Sequence, residues 1–191
     1  MRMKVRLLIP DKTFLKAMNL REEILKEHSK AKCNEIVAWV NNSQKRFDEL
    51  LFLFLKDEDK IKQRAAWPLS YCVEAHPELA NKHFDKLIKN LEKTPLHDAV
   101  KRNTIRLLRY TNIPKKYHGP LMNICFEYAA SPKETIAVKV FSLNLLEKLA
   151  KIYPEIIPEI KWVIDDQIEN QSAGFKSCAK HMLKNLKTIQ S

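Results

Sequence analysis

A pattern that returns every 37 to 39 residues constrains this chain more than any single motif. Ile61-Lys62, Val100-Lys101, Val138-Lys139 and Phe175-Lys176 each open a stretch of helical periodicity. Four residues past the apolar member stands a small side chain: Ala65, Thr104, Ser142, Ala179. Eight residues past it stands Leu69, Leu108, Leu146 or Leu183. Positions i, i+4 and i+8 fall on one face of a helix turning about 100° per residue. The small residue lets a neighbouring helix approach closely, and the leucine lands on the same buried face. Offsets of roughly 39, 38 and 37 residues are the length of one two-helix unit, close to the ~40-residue period of stacked α-repeats.

A second set of helices lies between these. Pro77 to Lys93 carries Leu79, Phe84, Leu87, Ile88 and Leu91. Pro120 to Ala130 carries Leu121, Ile124, Cys125 and Tyr128, and Pro154 to Ile168 carries Ile156, Ile157, Ile160, Val163 and Ile164. Each begins near a proline, which suits the first turn of a helix. His76-Pro77-Glu78-Leu79 and Tyr153-Pro154-Glu155-Ile156 read as near copies of one interhelix turn. Upstream, Arg21 to His28 and Lys30 to Val40 read as helices or one broken helix. Asn41-Asn42-Ser43 reads as a stop and an N-cap, followed by Phe47, Leu50, Leu51, Phe54 and Leu55 at helical spacing. Asp57-Glu58-Asp59 places acids at the positive end of the next helix. Residues 1–20 are ambiguous, and the apolar Leu7, Leu8, Ile9 and Phe14 are expected to fold back over the first unit. With only 2 Gly in 191 residues and little Val/Thr alternation, the class is all-α.

Asp98-x-Val100-Lys101-x-x-Thr104-x-x-x-Leu108 resembles the second-helix signature of HEAT repeats, and Asp59-x-Ile61-Lys62-x-x-Ala65-x-x-x-Leu69 matches it too. The resemblance covers about two thirds of the chain. Lys stands where the family often has Arg, Ile136 and Ala173 replace the Asp of the later copies, and Pro68 lies inside a second helix, where it is expected to kink it. The resemblance implies a right-handed α–α superhelix forming a single domain, 1–191. Residues 1–58 would be its degenerate N-terminal cap and 59–191 its regular repeats. It also implies a binding scaffold, since such proteins mostly bind partners on a concave face lined by second helices; a few resemble DNA glycosylases.

On that register one row of concave-face residues is Trp67, Arg106, Asn144 and His181. Arg102 flanks it on one side, and Arg109 with Glu147 on the other. Trp67 near Arg106 would stack on a base or on the guanidinium; the plainer reading packs Trp67 against its neighbours and pairs Arg109 with Glu147. Lys62, Lys101, Lys139 and Lys176 form a ladder that reads as a phosphate track, or more plainly as ion pairs with acids of the neighbouring repeat. The protein is basic, at +11, and unevenly so: residues 60–120 hold 13 basic and 5 acidic side chains, while 1–59 are net +2 and 121–191 net +1. From Lys101 to Lys116 six bases meet no acid. A polyanion such as nucleic acid is the sharp reading and a solvated surface the plain one.

Enzymatic motifs are missing. There is no Gly-x-Ser-x-Gly, phosphate-binding loop or dinucleotide fingerprint. His28, His76, His83, His97, His118 and His181 show no metal spacing, so neither metal nor cofactor is expected. Asp165-Asp166 beside Trp162 offers carboxylates, but adjacent acids on a helix diverge by about 100°. The scattered Cys33, Cys72, Cys125 and Cys178 read as buried thiols in a reducing compartment. With no signal peptide or span-length apolar stretch, the expectation is a cytoplasmic, non-enzymatic scaffold for a protein or polyanionic partner, with a glycosylase-type enzyme as alternative.

Overall fold

Caps placed by short polar side chains decide where the first helices start. The computed structural model describes residues 19–190. Asn19 Oδ1 accepts the amide of Glu22 and opens α1 (Leu20–Lys26). Ser29 Oγ accepts that of Lys32 at 3.1 Å and opens α2 (Lys30–Val40), so the upstream stretch is two helices and not one. Asn41 takes the positive φ of 47° that ends α2, and Ser43 caps α3 (Gln44–Lys56). Each cap satisfies an amide that the first turn leaves without a partner. Among the described residues there are ten α-helices and no strand.

The described residues divide into two compact units, the first ending at Leu79 and the second beginning at Ala80. In the first, α4 (Asp59–Ala75) packs on α1, α2 and α3. It runs continuously through the buried Pro68. Leu20, Ile24, Phe47, Leu50, Ile61, Ala65 and Leu69 are fully enclosed. Each of the large ones contributes about 1.5–3 kcal/mol relative to an exposed position. The sequence boundary at 58/59 falls inside this unit: α4, the first regular repeat helix, has its packing partners upstream.

The second unit contains α5 (Phe84–Leu91), α6 (Asp98–Leu108), α7 (His118–Ala130), α8 (Ile136–Ala150), α9 (Ile157–Asp165) and α10 (Ala173–Gln190). α8 is its hub and packs on α6, α7, α9 and α10. The prolines act slightly earlier than the periodicity suggests. Pro77–Ala80 and Pro154–Ile156 are single 3₁₀ turns, and another, Lys115–Tyr117, precedes α7. The two turns predicted to be copies have the same local form.

The register of small residues is met. Ala65, Thr104 and Ser142 are 0 % exposed and Ala179 is 1 % exposed. Thr104 satisfies its hydroxyl on Val100 O at 2.8 Å. The leucine of the fourth copy departs: Leu183 is half-exposed, and Met182 and Leu186 take the buried positions on α10. The expected fold-back of Leu7, Leu8, Ile9 and Phe14 lies outside the described residues.

Side-chain bonds reach across one repeat period. Arg64 on α4 donates to Ile24 O and Leu25 O, at 3.3 and 2.7 Å. Lys148 on α8 donates to Leu108 O at 3.5 Å, Arg109 O at 2.9 Å and Thr111 O. Tyr128 donates to Leu91 O at 2.8 Å, and Gln167 to Ala129 O at 2.9 Å. All four satisfy carbonyls orphaned at a helix C-terminus, where a cation is also favoured by the helix dipole.

Candidate functional site

These caps bear directly on the search for a site, because they remove cations from the set a ligand can use. Burial, and then the neighbouring Arg109 charge, lower the Lys148 pKa. The lysines of the ladder are engaged within the chain as well. Lys62 pairs with Asp59 in its own helix at 3.0 Å. Lys101 pairs with Glu134, and its ammonium lies 5.2 Å from the centre of the Tyr128 ring. Lys139 is only 4 % exposed and donates to Gln167 Oε1 at 2.7 Å. Burial lowers its pKa and the Glu134 charge partly offsets that. Lys176 is exposed and donates to Glu169 O at 2.9 Å. Lys101 therefore meets an acid from the turn before the next repeat helix, while Lys139 and Lys176, in the copies that lack the Asp, settle on an amide and a carbonyl.

On α6 the arginines face outward. The helix starts at the His97 N-cap, whose Nδ1 accepts the Ala99 amide at 3.1 Å, and has Asp98 in its first turn. Its buried face is Val100, Thr104, Leu107 and Leu108. Arg102 is exposed and has no ion pair or hydrogen bond among the described residues. One turn on, Arg106 is half-exposed with its guanidinium 5.8 Å from the centre of the Tyr110 ring. Arg109 ends the same stripe, half-exposed. Glu147 accepts from Asn185 Nδ2 at 2.8 Å rather than pairing with Arg109. Beyond the helix, Lys115 and Lys116 are exposed, the latter 4.8 Å from the Tyr117 ring centre.

The remaining row positions are accessible. Asn144 on α8 is half-exposed and His181 on α10 is exposed. Trp67 is half-exposed and belongs to the first unit, where its ring meets His28 and Tyr71 edge-on, at 5.6 and 6.3 Å between centroids. The ammonium of Lys30 lies 5.5 Å from the Trp67 centroid and 3.6 Å from that of Tyr71. Sequence reasoning named Trp67 but not this company. Lys30 and His28 stand almost one repeat period upstream, and the period itself was the signal that could have found them.

The thiols are chemically quiet. Cys33, Cys72 and Cys125 are buried as expected, Cys178 is only half-buried, and none of the four is in a disulfide. Burial pushes the Cys125 thiol up to about 12. Among the described residues no group of three His, Cys, Asp or Glu side chains is placed to hold a metal ion, and no helix is long and apolar enough to cross a membrane.

No curated protein and no solved structure matches the chain. A model of the HEAT repeat domain matches it from residue 20 to residue 186, from the first residue of α1 to the buried Leu186 of α10. With the ten helices, the period and the buried small residues, that match assigns the chain to the HEAT repeat family.

Proposed function

We propose that the protein is a non-enzymatic repeat scaffold whose second unit binds a polyanion, nucleic acid in the first instance, on the outward face of α6. The observation that carries this reading is the distribution of acid. Between Asp98 and Glu127 the chain has six basic residues and no acidic one, and Arg102 stands exposed at the start of that run. Two aromatic rings lie within it, Tyr110 beside Arg106 and Tyr117 beside Lys116. Cationic groups interleaved with rings suit a phosphate backbone whose bases or sugars pack alongside. The acid-free α10, with exposed Lys180, His181 and Lys184, extends the same character within the unit. A base-excising activity is the weaker alternative: it needs a free carboxylate, and Glu147, the nearest candidate by register, is held by Asn185.

The test is fluorescence anisotropy with single- and double-stranded oligonucleotides at low and moderate salt. Binding is expected to fall with salt at a slope of about 0.7–0.9 per phosphate neutralised. Arg102→Ala is expected to weaken it and flatten the slope by about one. No binding at low salt would leave a protein-binding scaffold in its place.

A further inference from the structure

The geometry points to a second recognition site of opposite sign in the first unit: the Trp67–Tyr71 pair accepts the side-chain ammonium of a lysine on a partner protein, and Lys30 occupies it in the partner's absence. Lys30 lies over Tyr71 at 3.6 Å and beside Trp67 at 5.5 Å, which is the contact by which aromatic rings hold an organic cation. Nothing else explains its position. It has no ion pair or hydrogen bond among the described residues. It is also the first residue of α2, whose first turn contains no acid, so the positive end of the helix dipole repels it.

The surroundings favour a cation too. Beside Trp67 is a shallow depression, open to solvent, with Ile24, Ile36 and Pro68 among its lining residues. Three charged residues line it. Lys32 is neutralised by Glu23 at 2.8 Å and by Glu35. Arg64 is committed to the carbonyls that end α1. Glu27 is exposed and has no partner among the described residues, so its carboxylate is the one group at this depression left for an incoming cation. An incoming ammonium finds the Trp67 face, a carboxylate within the same depression, and an apolar lining for its methylene stem. Lys30, tethered and solvent-exposed, is the competitor it displaces.

The experiment follows the Trp67 indole N–H resonance of the full chain, assigned with Trp67→Phe, during titration with Nα-acetyl-lysine methylamide. Its norleucine counterpart, the same shape without the charge, is the control. The lysine probe is expected to shift the resonance, at about tenfold lower concentration in Lys30→Ala than in the unchanged protein, because the resident cation is gone. Glu27→Gln is expected to weaken the response. Lys30→Met keeps the methylene stem and decides the matter if Lys30→Ala disturbs α2. An equal response to norleucine, no gain in either Lys30 variant, or a response to choline but not to lysine would overturn the assignment.

Discussion

The two units share a helical grammar and differ in what they do with charge. Residues 19–79 hold ten basic and eleven acidic side chains, whereas residues 80–191 hold nineteen and eleven. In the first unit the charges meet: Arg21 with Asp57 at 3.0 Å, Glu23 with Lys26 and Lys32, Lys62 with Asp59. In the second, Lys89 pairs with Asp85 and Lys101 with Glu134, Lys139 and Lys148 are turned inward, and Arg102, Lys115 and Lys116 are left outside. A net charge of +11 therefore says little about a protein until its cations are divided into those that cap helices, those that pair and those that remain.

The comparison can be broken first at the packing that both units share. Ser142 is fully buried against the α7 thiol Cys125 at the hub of the second unit. Ser142→Leu is expected to overpack it and to cost about 1–3 kcal/mol in chemical denaturation. A fully stable variant would show that the small-residue register is incidental. Next come the caps. Lys148→Met and Arg64→Met each leave helix-terminal carbonyls without a donor and are expected to cost about 1–2 kcal/mol apiece. Hydrogen exchange should place the first loss at the end of α6 and the second at the end of α1.

Acid gives the smallest and most unit-specific effect. Hydrogen bonds from Lys26 and Lys32 hold Glu23 below the usual carboxylate range, and the bond from Arg21 does the same for Asp57. As pH falls the unfolded chain takes up these protons before the folded one does. Their contribution is thus complete above the ordinary carboxylate range and is lost as pH drops through the lowered values. Arg21 and Lys26 reach these carboxylates from exposed positions, where water screens the charge, so the change is modest. Exchange protection is expected to fall in α1 and α2 on acidification before it falls in α6; simultaneous loss would remove the contrast.

Much of the fold was legible because it is local or periodic. Ser43 as a cap, Lys30–Val40 as a helix and the four buried small residues all follow from spacing alone. What spacing could not supply was the choice of partner. Leu183 sits at a core position by register, but on α10 the buried face is carried by Phe175, Ala179, Met182 and Leu186. Lys139 looks like a surface lysine until Gln167, 28 residues on, is folded over it. Arg102 was legible as an outward cation, since its own helix offers no acid beyond Asp98. The ring system around Trp67 was not, because only Tyr71 shares its helix, while Lys30 comes from α2 and His28 from the turn before it.

The most direct test sets one unit against the other at constant net charge. Arg102→Glu/Arg106→Glu in the second unit and Lys45→Glu/Lys56→Glu in the first change the protein's charge equally, and all but Arg106 are exposed positions. Oligonucleotide affinity at low salt is measured by anisotropy for both. The α6 variant is expected to lose binding by tenfold or more, on the order of 1.4 kcal/mol, with a flatter salt slope, while the first-unit variant stays close to the unchanged protein. Equal losses in the two variants would mean that the chain attracts anions by bulk charge alone, and that α6 is not a site.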